Sequence, residues 1–204
     1  MSMRALIRRF DAALRQAQGV FEFCDDQACL LRLQLSCSRR DLLLGQGVLP
    51  KGSAVLELHL WNEHIPAIPP GGPDLVWASQ TRRLFINSLH AVGQQIGVNP
   101  RLANIQAVGG ISVLLTAGDR ASGEHMIQRL GFDILPYHSR LGRFGMFWEN
   151  FYSWWLMWAF NPASLNHRKL IRLERVEFWM LADEFQLRYG DSLEKRLTRS
   201  KGVI

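Results

Sequence analysis

The chain has 204 residues, of which 48% are hydrophobic and 21% are charged. This composition supports one well-buried core and excludes a disordered protein. A formal net charge of +6 favours anionic partners such as phosphates or anionic lipid. Because no zinc-finger or RNA-binding motif and no long basic run accompanies the charge, we expect no nucleic-acid partner.

Residues 1–18 predict an amphipathic helix, since arginines interrupt any continuous apolar stretch and so exclude a signal peptide. The predicted apolar face holds Ile7, Phe10, Ala13, Leu14 and Ala17, with Arg8, Asp11 and Arg15 turned away. We expect this helix to pack on the core, and adsorption to a membrane is the alternative.

Three clustered cysteines follow the helix, at Cys24, Cys29 and Cys37. They form neither an even disulfide set nor a CxxC metal motif, which favours a reducing cytoplasm. The segments at 20–24 and 28–38 predict two strands of a hairpin that turns at Asp25 and Asp26. Residues 45–52 predict a turn-rich connection.

The stretch at 53–66, SAVLELHLWNEHIP, alternates apolar and polar residues and predicts the central strand. One face, expected to enter the core, holds Leu56, Leu58 and Leu60. The other face holds Val55, Glu57, His59 and Trp61. Polar residues at the end of such a strand commonly line a site, and here they are Asn62, Glu63 and His64.

His59 and Glu57 are candidates for an acid/base pair, because a carboxylate on the same strand face can orient an imidazole. Glu63 is the second candidate general base, and Trp61, Asn62 and His64 are candidates for substrate binding. A hydrogen-bonded histidine inside a sheet is the alternative for His59. The odd spacing of His59 and His64 places them on opposite faces of a strand, so we predict no metal site.

The remaining pattern alternates helices and strands. Proline and glycine interrupt the chain at 65–74, where Asp74 is expected to cap a helix over 75–96 that Gly97 ends. The predicted strands are 104–115, bent at Gly109 and Gly110, then 132–135 and 176–180. The other predicted helices are 122–130, ended by Gly131, and 181–190, before a basic tail at 191–204.

Residues 142–160, GRFGMFWENFYSWWLMWAF, predict a helix with a narrow polar stripe and an otherwise apolar circumference. The segment is too aromatic for a confident membrane span. We consider three interpretations: a core helix, a membrane-surface contact, or the wall of an acyl or aromatic pocket. In the pocket interpretation, Trp148, Phe151 and Trp155 contact the substrate.

Four segments, ELHLWNEHIP, AVGGISVLL, RLGFDILP and VEFWMLADEFQLRYG, together resemble the YkoP-like domain, a bacterial family also found attached to polysaccharide deacetylases. The resemblance covers most of residues 50–190. It implies an envelope or lipid context and supplies no catalytic residue.

The predicted order over 53–135, with Leu130-Gly131-Phe132 near its end, is similar to the second half of the GNAT acyltransferase fold. This resemblance implies a single α+β domain with a mixed central sheet flanked by helices, and an acyl thioester such as acyl-CoA or acyl carrier protein as donor. The Q/R-x-x-G-x-G/A pyrophosphate loop is missing. Gly71, Gly72 and Asp74 at the following helix start are the candidates for binding phosphate instead.

These observations predict an acyltransferase-like enzyme of lipid or envelope metabolism, in which His59 or Glu63 acts as general base toward an amine or hydroxyl. The competing prediction is a non-catalytic module that docks on a membrane or protein partner through the aromatic helix at 142–160. We expect a cytoplasmic protein, peripheral at the inner membrane face, because four arginines in the first helix favour anionic lipid.

Overall fold

The computed structural model describes residues 3–69, 71–72, 74–113, 120–137, 139, 142–165 and 175–190. The predicted basic tail at 191–204 lies outside these residues. The helices are α1 (Met3–Ala17), α2 (Leu75–Val98), α3 (Arg120–Arg129), α4 (Gly142–Phe160) and α5 (Ala182–Tyr189). The strands are β1 (Leu31–Cys37), β2 (Leu42–Leu44), β3 (Gly47–Leu49), β4 (Ala54–Leu60), β5 (Ala107–Val113), β6 (Asp133–Pro136) and β7 (Arg175–Leu181). Short 3-10 helices occur at Pro100–Leu102 and Pro162–Leu165.

Five strands form one mixed sheet in the order β1-β4-β5-β7-β6. The β4–β5 pair is parallel and the other neighbouring pairs are antiparallel. Parallel neighbours need a long crossover connection, and α2 lies in the one that joins β4 to β5. The predicted α+β class with a mixed central sheet is therefore confirmed.

The first face of β4 enters the main core, as its alternation predicts. Leu56 and Leu58 are buried there with Leu89 and Val92 of α2, and Leu60 packs against them half-buried. Burial of each leucine contributes roughly 2 kcal/mol of hydrophobic free energy. This core fixes the register of β4 and so determines which side chains reach its second face.

A small hairpin of β2 and β3 covers part of that second face. Leu42, Leu44 and Leu49 of this hairpin form a second core with Val55, Ala107 and Trp179. The prediction of a turn-rich connection at 45–52 is therefore wrong in part, because β3 lies within it. Strands of three residues are too short for alternation alone to mark them, and burial against the sheet stabilises this pair.

The predicted hairpin between 20–24 and 28–38 is also wrong. β1 pairs along its whole length with β4, and residues 20–24 contribute a single bridge, between Phe21 and Leu33. Pairing with the central strand buries Leu31 and Leu33 in the main core, which a two-stranded hairpin cannot do.

The other predicted elements are confirmed, with ends that differ by one or two residues for most. Asp74 caps α2 as predicted, since its Oδ1 accepts a hydrogen bond from the amide of Trp77 at 2.7 Å. Gly97 does not end the helix, which continues to Val98. β5 is shorter than the predicted 104–115, and positions 114 and 115 lie outside the described residues.

Candidate functional site

Glu57 and His59 lie on the second face of β4, as predicted. His59 Nε2 is 3.9 Å from Glu57 Oε2, and Ser36 donates a hydrogen bond to the other oxygen of Glu57. Burial lowers the pKa of His59, and the nearby Glu57 opposes this shift in part. The imidazole is therefore neutral near pH 7, and its buried Nε2 has no hydrogen-bond partner among the described residues.

His59 also lies where β4 and β5 stop pairing. The ladder between these strands runs from Val55 and Ala107 to Glu57 and Gly109, although both strands continue beyond it. Backbone groups past Glu57 on this side of β4 thus have no ladder partner in β5. An extended ligand can hydrogen-bond to backbone groups in such a position.

Asn62 and Glu63, which follow β4, line a separate cleft of about 330 Å³. The cleft lies between α1, the loop after β4 and the C-terminal end of α4. It is lined by Arg8, Asn62, Glu63, Ile65, Ala67, Ile68, Phe160, Asn161, Pro162 and Ala163. Since neither Glu57 nor His59 lines it, the structure divides the predicted catalytic residues between two places.

Ion pairs hold Glu63 at the edge of the cleft. Arg15 and Arg32 contact its two carboxylate oxygens at 3.3 and 3.2 Å. Arg15 also pairs with Asp11 at 2.9 Å, and Arg32 pairs with Glu22 at 2.8 Å. Glu63 thereby ties the loop after β4 to both α1 and β1, a positioning role that sequence reasoning did not assign.

Trp61 and His64 do not line the cleft. Their rings stack at 3.7 Å between centroids, and Arg32 lies over the indole at 4.4 Å. His64 Nδ1 is within 2.8 Å of the carbonyl oxygen of Cys29. Trp61, Asn62 and His64 were predicted to bind substrate, and of these three residues Asn62 alone lines the cleft.

Gly71, Gly72 and Asp74 lie in the connection that leads into α2. Gly72 has φ of +101° and donates its amide hydrogen to Pro69 at 2.9 Å. The Asp74 carboxylate occupies the helix N-terminus, where a phosphate would bind. Its negative charge opposes an anion at this position, so the structure gives these residues a capping arrangement.

The polar stripe of α4 points toward Arg175, the first residue of β7, and toward Tyr137, which follows β6. Arg175 of β7 donates hydrogen bonds to Asn150, to the carbonyl oxygen of Glu149 and to Ser153. Tyr137 donates to Glu149 at 2.7 Å, and burial together with this carboxylate raises the pKa of Tyr137 to about 12. These bonds fix the rotation of α4 about its axis.

The opposite side of α4 carries a run of neighbouring rings. Their centroids lie 5.2 to 6.4 Å apart along the helix, and the rings belong to Phe144, Phe147, Trp148, Phe151 and Trp155. Phe144 is 65% exposed, Phe147 48% and Trp148 51%, so the core-helix interpretation fails for this side.

The first helix packs against α4 and adds further exposed apolar side chains. Tyr152 donates to Asp11 at 2.7 Å, and Phe10 contacts the Tyr152 ring edge-on. The predicted face of α1 is wrong at four positions. Asp11 is buried, because Tyr152 and Arg15 bind it, whereas Phe10, Ala13 and Ala17 of the predicted apolar face are exposed. We call the exposed apolar side chains on the outer sides of the two helices the α1–α4 surface, which consists of Met3, Leu6, Phe10, Phe144, Phe147 and Trp148.

The family model of the YkoP domain matches residues 38–189. The chain belongs to the YkoP domain family. The matched range of the YkoP domain contains β4, the loop of the cleft and α4, whereas α1 and β1 precede it. Comparison with curated proteins and with solved structures gives no match.

Sequence reasoning missed Arg8, Phe160 and Asn161 as lining residues of the YkoP domain protein's cleft. No short motif marks them, because they come from segments that are distant in the sequence and meet when α1 packs on α4. Across the described residues, no group of three or more His, Cys, Asp or Glu side chains could hold a metal ion. No helix within the same residues is long and apolar enough to cross a membrane.

Proposed function

We propose that this protein is a peripheral binding module that docks on an anionic membrane through the α1–α4 surface. One observation carries the proposal: α4 turns its polar stripe toward Arg175 and the rings of Phe144, Phe147 and Trp148 outward. In a helix packed only for stability, the apolar side would face the core. Tryptophan and other aromatic side chains favour the interface between lipid and water.

The exposed rings supply a moderate apolar free energy. Phe144, Phe147 and Trp148 are each about half exposed, which leaves roughly 300 Å² for three aromatic side chains. At about 25 cal/mol per Å² this area is worth roughly 7 kcal/mol, before the cost of adsorption is subtracted. Binding of this strength is reversible and gains from an electrostatic contribution.

Arginines of α1 near the C-terminal end of α4 supply that contribution. Arg4 lies over the Trp158 ring at 5.1 Å, and Arg8 lies over the Phe160 ring at 5.0 Å. Each cation near an anionic surface adds about 1 kcal/mol. The net charge of +6 acts in the same direction. We assign the surface to the inner membrane face, where the free cysteines stay reduced.

Vesicle flotation tests this function directly. The full chain is mixed with phosphatidylcholine vesicles that contain or lack phosphatidylglycerol. We expect binding to the anionic vesicles, and a loss of about tenfold or more in Phe147→Ser/Trp148→Ser, since tenfold corresponds to about 1.4 kcal/mol. The matched control is Leu187→Ser on α5, because Leu187 is 86% exposed and lies outside the surface.

Equal flotation with neutral and anionic vesicles would contradict the proposal, and so would equal flotation of the two variants. Concentration-dependent dimerisation that Phe147→Ser/Trp148→Ser abolishes, without vesicle binding, would instead assign the surface to a second copy of the chain.

Acyl transfer is the second candidate function, and it is favoured by the place of His59 beside the end of the β4–β5 ladder. A neutral imidazole next to Glu57 has the protonation state of a general base, and an acyl thioester would hydrogen-bond to the backbone groups of β4 beyond the ladder. Release of free thiol from acyl-CoA in the presence of an amine acceptor tests it. Turnover that His59→Gln abolishes would support acyl transfer, and no turnover with any acceptor would refute it.

A further inference from the structure

The cleft lined by Asn62 and Glu63 lies at the C-terminal end of α4, where Arg8 of α1 and Phe160 of α4 belong to its walls. This end is roughly 18 Å along the helix from Trp148 of the α1–α4 surface. We propose that it binds an ammonium–phosphodiester zwitterion, the headgroup chemistry of an ethanolamine phospholipid. This inference deepens the proposed docking function. It rests on that function in one respect, because the docked membrane would be the source of the ligand.

Arg8 provides the side of the cleft that would bind the phosphodiester. Its guanidinium donates one hydrogen bond to the carbonyl oxygen of Ala159 at 3.0 Å and stacks on Phe160. Five donors are present on a guanidinium. Within the described residues Arg8 has no ion pair with a carboxylate, so several donors remain for phosphate oxygens.

Glu63 provides the side that would bind the ammonium. Its carboxylate is 35% exposed and belongs to a chain of ion pairs that runs Asp11, Arg15, Glu63, Arg32 and Glu22. Three carboxylates share two guanidinium groups in this chain, which leaves one excess negative charge.

The walls between these two charges suit a small ligand. Amides of Asn62 and Asn161 and the apolar side chains of Ile65 and Ile68 line the space. A volume of about 330 Å³ lies at the lower end of the roughly 300–1,000 Å³ found for ligand pockets. Quaternary ammonium groups are recognised by aromatic cages, whereas the lining contains one aromatic side chain, Phe160, which already stacks on Arg8. The chemistry therefore favours ethanolamine over choline.

A water-soluble headgroup separates this inference from membrane docking. We titrate the full chain with glycerophosphoethanolamine, and in parallel with glycerophosphocholine, glycerophosphoglycerol and inorganic phosphate, and follow amide chemical shifts by NMR. Glycerophosphoethanolamine should give saturable shifts in the loop after β4 and at the end of α4, with a Kd on the order of 1 mM, as a site of few polar contacts allows. The other three probes should bind about tenfold more weakly, because each lacks one of the two matching charges or the N–H donors.

Three variants and a control locate the site. Arg8→Gln should weaken binding of glycerophosphoethanolamine by about tenfold through loss of the charge-assisted bond, and Glu63→Gln should do so through loss of the carboxylate charge. Ala163→Trp should abolish binding by filling the cleft without changing the ion pairs. Arg101→Gln removes the same charge as Arg8→Gln near the start of β5, at the other end of β4 from Asn62, and should leave the affinity unchanged.

Equal binding of the choline and ethanolamine probes, or full binding by Ala163→Trp, would overturn the inference. If vesicles bind the protein but the soluble headgroup does not, the headgroup site fails while the docking function stands. If the soluble headgroup binds but vesicles do not, the cleft chemistry stands, its ligand is a free phosphodiester, and the docking function fails.

Discussion

At the scale of single residues, His59 is the group whose charge depends most directly on its surroundings. Burial lowers its pKa, so the folded chain favours the neutral imidazole more than the unfolded chain does. The resulting stability is fully present above the unfolded pKa of about 6.5. It is lost progressively as pH falls from there through the folded pKa, because the unfolded chain then binds the extra proton.

We therefore expect the free energy of unfolding to fall between about pH 7 and pH 5, and to fall less in His59→Gln. Urea denaturation at several pH values measures the difference, and the NMR titration of His59 gives the pKa itself. A His59 pKa at or above its ordinary value would contradict this expectation.

Gly109 tests how closely β5 and β7 approach each other. A Cβ built on Gly109 would lie 2.1 Å from the carbonyl oxygen of Phe178 and 2.6 Å from the Trp179 ring. Because the first of these atoms belongs to the backbone, a small rotamer change cannot relieve the clash. Gly109→Ala should reduce the free energy of unfolding by about 2 kcal/mol or more.

Gly97→Ala is the matched control for that substitution. No atom lies within 4 Å of the corresponding Cβ position, and Gly97 is exposed in the last turn of α2. Alanine at a helical position should leave stability unchanged or raise it by up to about 1 kcal/mol. Equal urea midpoints for the two variants would refute the close approach at Gly109.

At the scale of secondary-structure elements, the attachment of α1 to α4 is the feature on which the docking surface depends. Asp11 is 3% exposed and accepts hydrogen bonds or ion pairs from Tyr152 and Arg15. Ile7, which is buried on the same side of α1, adds an apolar contact. These two buried groups add to the contacts that Arg4, Arg8 and Arg15 make from the same helix.

Tyr152→Phe removes one hydrogen bond to that buried carboxylate, at a cost of about 1–3 kcal/mol. We expect faster hydrogen exchange in α1, with little change in β4 and β5, because local opening of a peripheral helix does not require global unfolding. Mass spectrometry after deuterium labelling measures both. Unchanged exchange in α1 would show that Asp11 does not hold the helix.

The sequence predicts best the helices and strands that have a long periodic pattern of apolar residues. The alternation at 53–60 and the long apolar pattern of α2 determine their elements because each buries one full face. β2 and β3 are too short to carry a period, and residues 20–24 alternate but form a single bridge to β1, between Phe21 and Leu33. The alternating pattern also predicts the polar loop that follows β4. It does not show that this loop and His59 lie in two separate places.

The site residues that sequence reasoning missed depend on tertiary contacts. Arg8 reaches the cleft because α1 packs on α4, and the packing is set by Asp11 and Tyr152, which are 141 positions apart in the sequence. A helical wheel places Asp11 with the solvent-facing residues of α1. The sequence of α1 alone does not show that Tyr152 binds Asp11 and buries it.

At the scale of the whole molecule, the net positive charge and the exposed apolar surface both favour adsorption to an anionic membrane. The YkoP domain protein combines a net charge of +6 with the exposed aromatic side chains of the α1–α4 surface, and Arg4 and Arg8 lie over two further rings, Trp158 and Phe160. Salt screens the attraction between the positive charge and anionic lipid, since the Debye length falls from about 10 Å at 0.1 M to about 3 Å at 1 M. It leaves the hydrophobic free energy of the exposed rings nearly unchanged.

We therefore expect flotation with phosphatidylglycerol vesicles to weaken steadily as ionic strength rises, without loss of the fold by circular dichroism. Arg4→Gln should weaken the salt dependence, and Arg101→Gln should not. Removal of residues 1–18 is a poorer test, because it also uncovers the side of α4 that contacts Ile7 and Asp11. Binding that is independent of salt would contradict the electrostatic part of the account.

The most direct test of membrane docking places the rings of α4 in the lipid. Phosphatidylglycerol vesicles with brominated acyl chains quench tryptophans that enter the interface. We predict quenching of the bound protein that drops in Trp148→Phe and persists in Trp179→Phe, since Trp148 is 51% exposed and Trp179 is 4% exposed. A bound protein that shows no quenching, or quenching that Trp148→Phe leaves unchanged, would contradict docking through the α1–α4 surface.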